Sequence, residues 1–189
     1  MRGWSDADKL DYAALNADPI VMQHFPATLT SEQSDEMVDR IRAGWSSNGF
    51  GLWAVDRVDT GAFIGFVGLS APTWQTAFTP CIEVGWRLAH HQWGNGFAPE
   101  AARAAIDWAF QHVELPRNEI VSFTTVANEN SRRVMSKVGL VHDPARDFDH
   151  PILPNWHGRR HVLYAIDRRQ WLGQRAHTAD AASSIAPVR

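Results

Sequence analysis

The segment most informative about chemistry contains two glycines between a predicted strand and a predicted helix. Residues 82–88 read IEVGWRL, which is typical of a buried strand, and Gly94 and Gly96 follow in a turn before the helix. Glycine adopts positive φ and lets a backbone approach a ligand closely. The N-terminus of a helix adds free N–H groups and the positive end of its dipole. The segment therefore predicts an anion site that suits a pyrophosphate; alternatively, the glycines serve only the geometry of the turn.

The same glycines do not fit the two common nucleotide-binding patterns. The sequence contains no Gly-x-x-x-x-Gly-Lys-Ser/Thr, which disfavours a P-loop enzyme. A third glycine at dinucleotide-binding spacing is also missing, because Pro99 follows Ala98. Pro99 instead fits the first turn of a helix, where its missing N–H costs nothing.

The composition indicates one globular domain with a slightly acidic charge. The chain has 189 residues, of which 44% are hydrophobic and 21% charged, and this is enough for a sizeable core. Its 18 Lys and Arg against 21 Asp and Glu give a net charge of −3, so neither nucleic acid nor an anionic membrane is an expected partner. Cys81 is the single cysteine. No intrachain disulfide is possible, and we expect a reducing, cytoplasmic location.

Capping, turn and periodicity signals predict the elements that position these residues. Ser5 with Asp8 marks a first helix, and Thr30 with Gln33 forms a capping box that starts a second. Further helices are predicted over residues 98–113 and 128–139, and strands over residues 51–58, 62–69, 81–88, 119–126, 140–148 and 159–166. This order predicts an α/β (α+β) fold with a mixed sheet and helices on both faces. We expect one domain over residues 1–172 and a disordered Ala/Ser-rich tail over residues 173–189.

Two motifs in the chain resemble those of the GNAT superfamily of N-acetyltransferases. The stretch EVGWRLAHHQWGNGFAPEA resembles its acetyl-CoA-binding motif, Gln/Arg-x-x-Gly-x-Gly/Ala, with Gly94 and Gly96 at the glycine positions. His91 departs from the pattern, because the family prefers Gln or Arg there. Residues 128–140 resemble the family's Asn-x-x-Ser…Lys-x-Gly-Phe signature at the right distance. The runs LNADPIVMQHFP and GLWAV…GAFIGFVGL resemble the RimJ/RimL-type branch, and the whole resemblance covers residues 1–166.

The resemblance implies an acetyl-CoA-dependent enzyme with the GNAT fold, a central mixed, mostly antiparallel sheet between helices. Such enzymes move acetyl from acetyl-CoA to a primary amine by direct attack in a ternary complex, without a metal. The acceptor is then a protein N-terminal α-amine, a small amine or an antibiotic, and a homodimer is common among relatives. The alternative is a non-catalytic acyl-CoA-binding or sensing module that keeps the fold.

The resemblance also implies which residues contact acetyl-CoA. A backbone N–H where the strand splays, over residues 86–88, polarises the thioester carbonyl. The full cofactor-binding set comprises Trp86, Arg87, Leu88, Gln92, Trp93, Gly94, Asn95, Gly96, Phe97, Ala98, Asn128 and Ser131. Asn128 hydrogen-bonds the pantetheine amides, caps its helix, or does both.

Two residues are the catalytic candidates under this resemblance. The attacking amine must be neutral, yet lysine-type amines have a pKa near ~10.4, so a base is needed. Glu83 is the candidate base, acting through water; alternatively it is a strand glutamate that pairs with a neighbour. Ser131 matches the family serine near the thiol; alternatively it is a first-turn residue below the Asn128 cap.

Further expectations concern aromatic and edge positions. Trp53, Trp74 and Trp86 are candidates to frame the acceptor pocket, whereas Tyr164 is expected in the core. His157 and His161 have a helical ligand spacing but lie in a loop-like segment, so no metal site is expected.

Relatives usually carry one more strand before the first helix. We therefore expect residues 51–58 to form a sheet edge whose outer N–H and C=O groups lack their usual partner.

Overall fold

Seven strands form one mixed sheet with helices on both faces, as the sequence predicts. The computed structural model describes the backbone of residues 1–183 and the side chains of residues 1–176. The helices are α1 (Asp8–Ala17), α2 (Ser31–Asn48), α3 (Phe97–His112), α4 (Glu129–Lys137) and α5 (Arg168–Ser183). The strands are β1 (Leu52–Asp56), β2 (Phe63–Ser70), β3 (Glu83–Leu88), β4 (Glu119–Thr125), β5 (Val141–His142), β6 (Phe148–Asp149) and β7 (Arg160–Asp167). Their order is β1-β2-β3-β4-β7-β5, with β6 also on β7, and β3–β4 is the parallel pair among antiparallel ones.

The two faces of the sheet are covered by different helices. Helices α1 and α2 pack on one face through a cluster around Tyr12, Val38 and Phe66. Helices α3 to α5 pack on the other face in a larger core cluster. The predicted small, apolar stripe of α3 is confirmed and lies buried there; it consists of Ala101, Ala102, Ala105, Ile106, Ala109 and Phe110. Small side chains let α3 approach the sheet closely, which places its N-terminus beside the end of β3.

The predicted helix starts are confirmed with one difference. Thr30 and Gln33 make the reciprocal capping box of α2, with bonds of 3.3 Å and 2.9 Å. At α1 the Ser5 side chain does not cap the helix. Instead, the Asp8 carboxylate accepts a hydrogen bond from the backbone N–H of Ser5 at 2.7 Å. Helix α1 therefore begins at Asp8 rather than at Ser5.

The single strand predicted over residues 140–148 is wrong. The segment forms two short strands, β5 and β6, which both pair with β7. Pro144 interrupts them in a 3₁₀ turn, where the Asp143 side chain accepts from the N–H of Ala145 at 3.2 Å. Proline has no N–H for the ladder, so one continuous strand is disfavoured at this position.

The disorder expected from residue 173 onward is also wrong for residues 173–183, which continue α5. Asp167 and Gln170 cap this helix reciprocally, with bonds of 2.9 Å and 2.7 Å. The alanines that suggested a low-complexity tail are strong helix formers. Residues 184–189 lie outside the described part of the chain, so their disorder stays a prediction.

The outer edge of β1 lacks a partner strand within the described chain, as expected, but the N-terminal segment covers part of it. Arg2 pairs with Ala54 in an isolated antiparallel bridge, with N–H to O distances of 2.9 Å and 3.0 Å. The carbonyl of Leu52 accepts from the indole N–H groups of Trp4 at 2.9 Å and Trp45 at 3.0 Å. The N-terminal segment and the two indoles thus provide hydrogen-bond partners for backbone groups of Ala54 and Leu52, which a neighbouring strand would provide inside a sheet.

A third buried cluster lies where β4 and β7 meet the loop between β2 and β3. It contains Phe78, Cys81, Val121 and Leu163, with Trp74 packed against it. Cys81 is 4% exposed, and burial raises the pKa of its thiol to about 12. The cluster anchors the start of β3 next to β4, just before the two strands separate.

Candidate active site

The adjacent strands β3 and β4 separate after one register pair. Within the described chain they pair at Glu83 and Val121, where the Val121 N–H donates to the Ile82 carbonyl at 2.9 Å. Backbone groups along a strand alternate in direction, so those of Trp86 and Leu88 face the same side as the Ile82 carbonyl, toward β4. The backbone between residues 84 and 88 therefore borders an opening in the sheet.

A cleft of about 560 Å³ passes through this opening and is lined by residues from both faces of the sheet. One half, called here the glycine-turn side, is lined by Gly94, Gly96, Phe97, Ala98, Asn128, Ser131 and Lys137. The other half, called here the aromatic side, is lined by Phe25, Phe66, Arg87, Phe123, His150, Trp156 and His161. Glu83, Gly85 and Trp86 line the cleft along β3. Two molecules entering from opposite faces can therefore meet beside this strand.

The glycine-turn side has the features of an anion site. Gly94 and Gly96 have φ of +82° and +85°, and Gly96 is the N-cap residue of α3, without any side-chain cap. Within the described chain, none of the backbone N–H groups of residues 94–98 donates a hydrogen bond to protein. The free N–H groups and the positive end of the α3 dipole thus face the same space.

Other predicted residues of this turn fix its shape. The Trp93 indole donates to the Leu88 carbonyl at 2.8 Å, which ties the turn to the end of β3. Gln92 is buried, and its Oε1 accepts from Arg57 at 3.1 Å. Asn95 is the one predicted cofactor residue that does not line the cleft, because its side chain donates to the Gln92 and Trp93 carbonyls. His91 is exposed and also lies away from the cleft.

The start of α4 forms the opposite wall of the glycine-turn side. The Asn128 Oδ1 accepts from the Ser131 N–H at 3.2 Å, and its Nδ2 donates to Thr124 Oγ1 at 2.9 Å. Asn128 thus caps α4 and ties it to β4, while both Asn128 and Ser131 line the cleft. Lys137, at the other end of α4, adds an exposed positive charge to the same wall.

Glu83 has an unusual electrostatic environment. Burial raises the pKa of its carboxyl to about 7, and a hydrogen bond from Ser70 Oγ at 2.9 Å opposes part of that shift. Among the described residues that line the cleft, Glu83 is the single carboxylate. A carboxyl group with this pKa exchanges a proton near neutral pH, which is the property required of a general base.

Arg87, predicted to contact the cofactor, turns its side chain toward the aromatic side. Its Nη1 donates to Asn16 Oδ1 at 2.6 Å, and its Cζ lies 4.2 Å from the ring centroid of Phe25. Burial lowers the pKa of the guanidinium, which the nearby Tyr12 hydroxyl partly offsets. The sequence could not reveal this orientation, because it depends on the α1 end and on the loop before α2.

Histidine and tryptophan rings form the far wall of the aromatic side. The rings of His150 and His161 are 5.1 Å apart, and burial lowers the pKa of His150 to about 4 and also lowers that of His161. Trp156 lies 6.3 Å from His161. Both histidines are therefore neutral near pH 7, and this wall is uncharged.

The three tryptophans proposed for the acceptor pocket have different positions. Trp86 lines the cleft, and Trp74 packs behind its wall, 5.1 Å from His150. Trp53 instead packs against Trp45 and Trp108, away from the cleft. Trp156, which the sequence did not single out, lines the cleft and was recognisable only as one more aromatic residue in a loop.

Among the described residues, no group of three or more His, Cys, Asp or Glu side chains is arranged to hold a metal ion. No described helix is both long enough and apolar enough to cross a membrane. Tyr164 is buried beside His142 and does not line the cleft.

Comparisons with known proteins agree on one family. The Acetyltransferase (GNAT) domain family matches residues 1–141. The chain is 32% identical to FsC-acetyl coenzyme A-N(2)-transacetylase of Aspergillus fumigatus, over 84% of this chain and 68% of that protein. A solved acetyltransferase of Agrobacterium tumefaciens is 26% identical with a TM-score of 0.69, covering 88% of this chain and 89% of its own.

A more distant structure shares the fold. Spermidine N-acetyltransferase of Vibrio cholerae, solved with CoA and spermine, has a TM-score of 0.69 at 19% identity. The similarity covers 90% of this chain and 96% of that one.

Proposed function

The chain belongs to the GNAT acetyltransferase family, and we propose that it transfers acetyl from acetyl-CoA to a primary amine by direct attack in a ternary complex. Acetyl-CoA is the co-substrate of the family. The observation that carries the proposal is the cleft through the β3–β4 opening, with an anion site on one face and Glu83 beside the other. Two substrates can approach the same point from opposite faces.

The glycine-turn side suits the CoA moiety. Its free N–H groups over residues 94–98 fit a pyrophosphate, and this assignment needs no side-chain charge at the position of His91. Lys137 adds a positive charge on the same side. Asn128 is held by its bonds to α4 and Thr124, so it serves mainly to shape this wall.

The chemistry is proposed for the point where the strands separate. The backbone N–H of Trp86 polarises the thioester carbonyl, since it faces the opening. Glu83, through water, accepts the proton that the amine must lose, and the amine nitrogen then attacks the carbonyl carbon. As the carbon–sulfur bond breaks, the nitrogen loses its second proton and the leaving thiolate takes up a proton, while Ser131 supplies a hydrogen bond to the sulfur. The products are the acetylated amine and CoA.

An acceptor screen tests the proposal against a non-catalytic acyl-CoA-binding module. The protein is incubated with acetyl-CoA and peptides, polyamines, amino acids or aminoglycosides, and CoA and acetylated amine are measured by chromatography. Release of CoA in step with acetylated amine is the expected result. Tight acetyl-CoA binding without acetylation of any amine would instead identify a sensing module.

The finer assignment to the RimJ/RimL-type branch is part of the same proposal. It rests on the N-terminal run and the hairpin of β1 and β2, and it places protein α-amines among the acceptors to be tested. We also propose a cytoplasmic location, which the single, buried cysteine supports. We further propose a homodimer, because relatives commonly form one. Measurement of mass in solution by light scattering tests the dimer.

A further inference from the structure

The aromatic side of the cleft contains a buried arginine without a carboxylate partner. Arg87 is 9% exposed, and its Nε is buried without a hydrogen-bond partner among the described residues. Its one hydrogen bond there goes to the neutral amide of Asn16. Its other close neighbours are the rings of Phe25 and Phe66, at 4.2 Å and 5.6 Å from Cζ.

This arrangement favours an anion in the cleft. A buried charge is costly unless it is paired, and arginine keeps its charge at any pH that the fold tolerates. A carboxylate accepts two parallel N–H bonds from a guanidinium, which makes it the best partner for Arg87. Glu83 is the single carboxylate among the described lining residues, so a carboxylate partner for Arg87 would come from a ligand.

Other buried polar atoms without a partner belong to residues that line the same cleft. The described chain has five buried side-chain polar atoms without a hydrogen-bond partner, and four of them belong to residues that line the cleft. Besides Arg87 these are Thr125, His150 and Trp156. Polar groups of this kind are paired in most proteins, so their concentration here indicates a polar ligand rather than a purely apolar one.

Glu83 and Arg87 are placed to bind opposite ends of one molecule. They lie four residues apart on β3, with their side chains on the same face and their Cα atoms about 13 Å apart. Gly85 lies between them, and a Cβ there would meet only Glu83 Oε1, at 3.8 Å. The strand therefore leaves open space between a group that attracts an ammonium and a group that attracts a carboxylate.

We propose that the amine acceptor is an ω-amino acid whose carboxylate binds Arg87, whose chain crosses Gly85 and whose amine lies beside Glu83. The inference rests on the proposed function of the same cleft. Several bonds separate the amine from the carboxylate in such a molecule, which suits the spacing of the two residues better than an α-amino acid does.

Binding to the CoA-loaded protein provides a test that does not depend on turnover. Calorimetry compares ω-amino acids of increasing chain length with their uncharged carboxamides and with unsubstituted alkylamines. The amino acid should bind at least about tenfold more tightly than its carboxamide, because the amide loses the charge and one of the paired bonds. Equal affinity of the two would overturn the proposal.

Variants separate recognition from a structural role of Arg87. Arg87→Met should abolish the preference for carboxylate over carboxamide, and Arg87→Lys should retain part of it. Arg40→Met, at an exposed arginine of α2, is the matched control and should leave the preference unchanged. A carboxylate preference that persists in a folded Arg87→Met protein contradicts the proposal.

Gly85→Ala keeps the test decisive if the Arg87 variants do not fold. The added methyl meets no atom closer than 3.8 Å, so the protein should fold and bind CoA normally. Its affinity for the ω-amino acid should fall, because the methyl occupies the path between the two charged groups. Unchanged affinity would remove the proposed path.

The outcomes distinguish this proposal from the proposed function. Acetylation of amines without any preference for a carboxylate contradicts the acceptor class and leaves the acetyltransferase function intact. Specific binding of ω-amino acids without any acetylation contradicts the acetyltransferase function and leaves the Arg87 site intact.

Discussion

Glu83 combines two features at the scale of the single residue: burial and a position where β3 and β4 separate. Its pKa of about 7 means that the carboxyl is a base only above neutral pH. The acceptor amine, with a pKa near ~10.4 for a lysine-type group, still carries its proton there. A window therefore exists in which Glu83 is ionised and the amine needs a base.

Replacement of Glu83 by Gln should lower turnover most within this window. In the parent, the rate should rise as the pH increases through about 7, since the ionised form is the base. Glu83→Gln should lose the inflection near pH 7 and about 10²–10⁴-fold of the rate above it, and its residual rate should follow only the neutral fraction of the amine, which rises up to the amine's own pKa. Steady-state kinetics across pH provides the measurement. The exposed Glu114→Gln is the control, and a parental profile in Glu83→Gln would show that another group accepts the proton.

The proposed phosphate site in the glycine turn depends on Gly96. Gly96→Asp should reduce acetyl-CoA binding strongly, because it adds a negative charge and strains a backbone at φ of +85°. Gly49→Asp is a matched control, since Gly49 has φ of +71° and, like Gly96, has open space around its Cα, but caps α2 instead. Calorimetry should show lost binding only for Gly96→Asp. Equal binding by both variants would remove the pyrophosphate from this turn.

At the scale of the element, the Asn128 cap connects helix stability to the site. Asn128→Ala removes the bonds to the Ser131 N–H and to Thr124 Oγ1. We expect a loss of about 1 kcal/mol in unfolding free energy, together with weaker CoA binding, because α4 forms one wall of the cleft. Asn128→Ser keeps a capping oxygen and should recover most of the stability. Urea unfolding compares the two, and equal stability of Asn128→Ala and the parent would show that the cap is dispensable.

The sequence predicted those elements whose determinants are local. The Thr30–Gln33 box, the α3 alanine stripe and the glycine turn all act through neighbouring residues, and they lie where predicted. The division of residues 140–148 was missed because strand propensity outweighed Pro144 in the prediction. The helical continuation after residue 173 was missed because composition suggested disorder more strongly than the Asp167–Gln170 cap suggested a helix.

The site was predictable in part for the same reason. The cofactor motifs are contiguous in sequence, so nearly all of the residues assigned from them line one cleft. The aromatic side is assembled from the loop before α2 and the loop before β7, which are distant in sequence. Phe25, His150 and Trp156 therefore carried no sequence signal that connected them to Arg87.

At the scale of the whole molecule, the N-terminal segment covers part of the β1 edge. The Arg2 guanidinium bonds both Asp8 and Asp56, and its backbone pairs with Ala54. Arg2→Ala should destabilise the fold by about 1–3 kcal/mol, because the buried Asp8 loses its charged partner. Chemical unfolding and light scattering should show lower stability and more association through the β1 edge. The exposed Arg40→Ala is the control, and unchanged association in Arg2→Ala would show that the indoles alone protect the edge.

Glu83 also makes the stability of the whole protein depend on pH. Its folded pKa of about 7 exceeds the ordinary value of 4.5, so the native state binds the extra proton between these values. Stability should therefore fall as the pH rises from about 4.5 to 7. Relative to the parent, Glu83→Gln should gain up to about 3 kcal/mol of stability as the pH rises from about 4.5 to above 7. Urea unfolding at several pH values measures this difference, with Glu114→Gln as reference; a constant difference across pH would contradict the raised pKa.

The burial of Cys81 has a practical consequence for assays of this protein. Its thiol is 4% exposed and has a pKa near 12, so it has almost no thiolate at neutral pH and is out of reach of aromatic disulfide reagents. Each acetyl transfer, in contrast, frees a CoA thiol into solution. The colour that such a reagent gives with free CoA can therefore measure turnover continuously. A slow additional reaction of one thiol per chain indicates instead that the sheet has opened around Cys81.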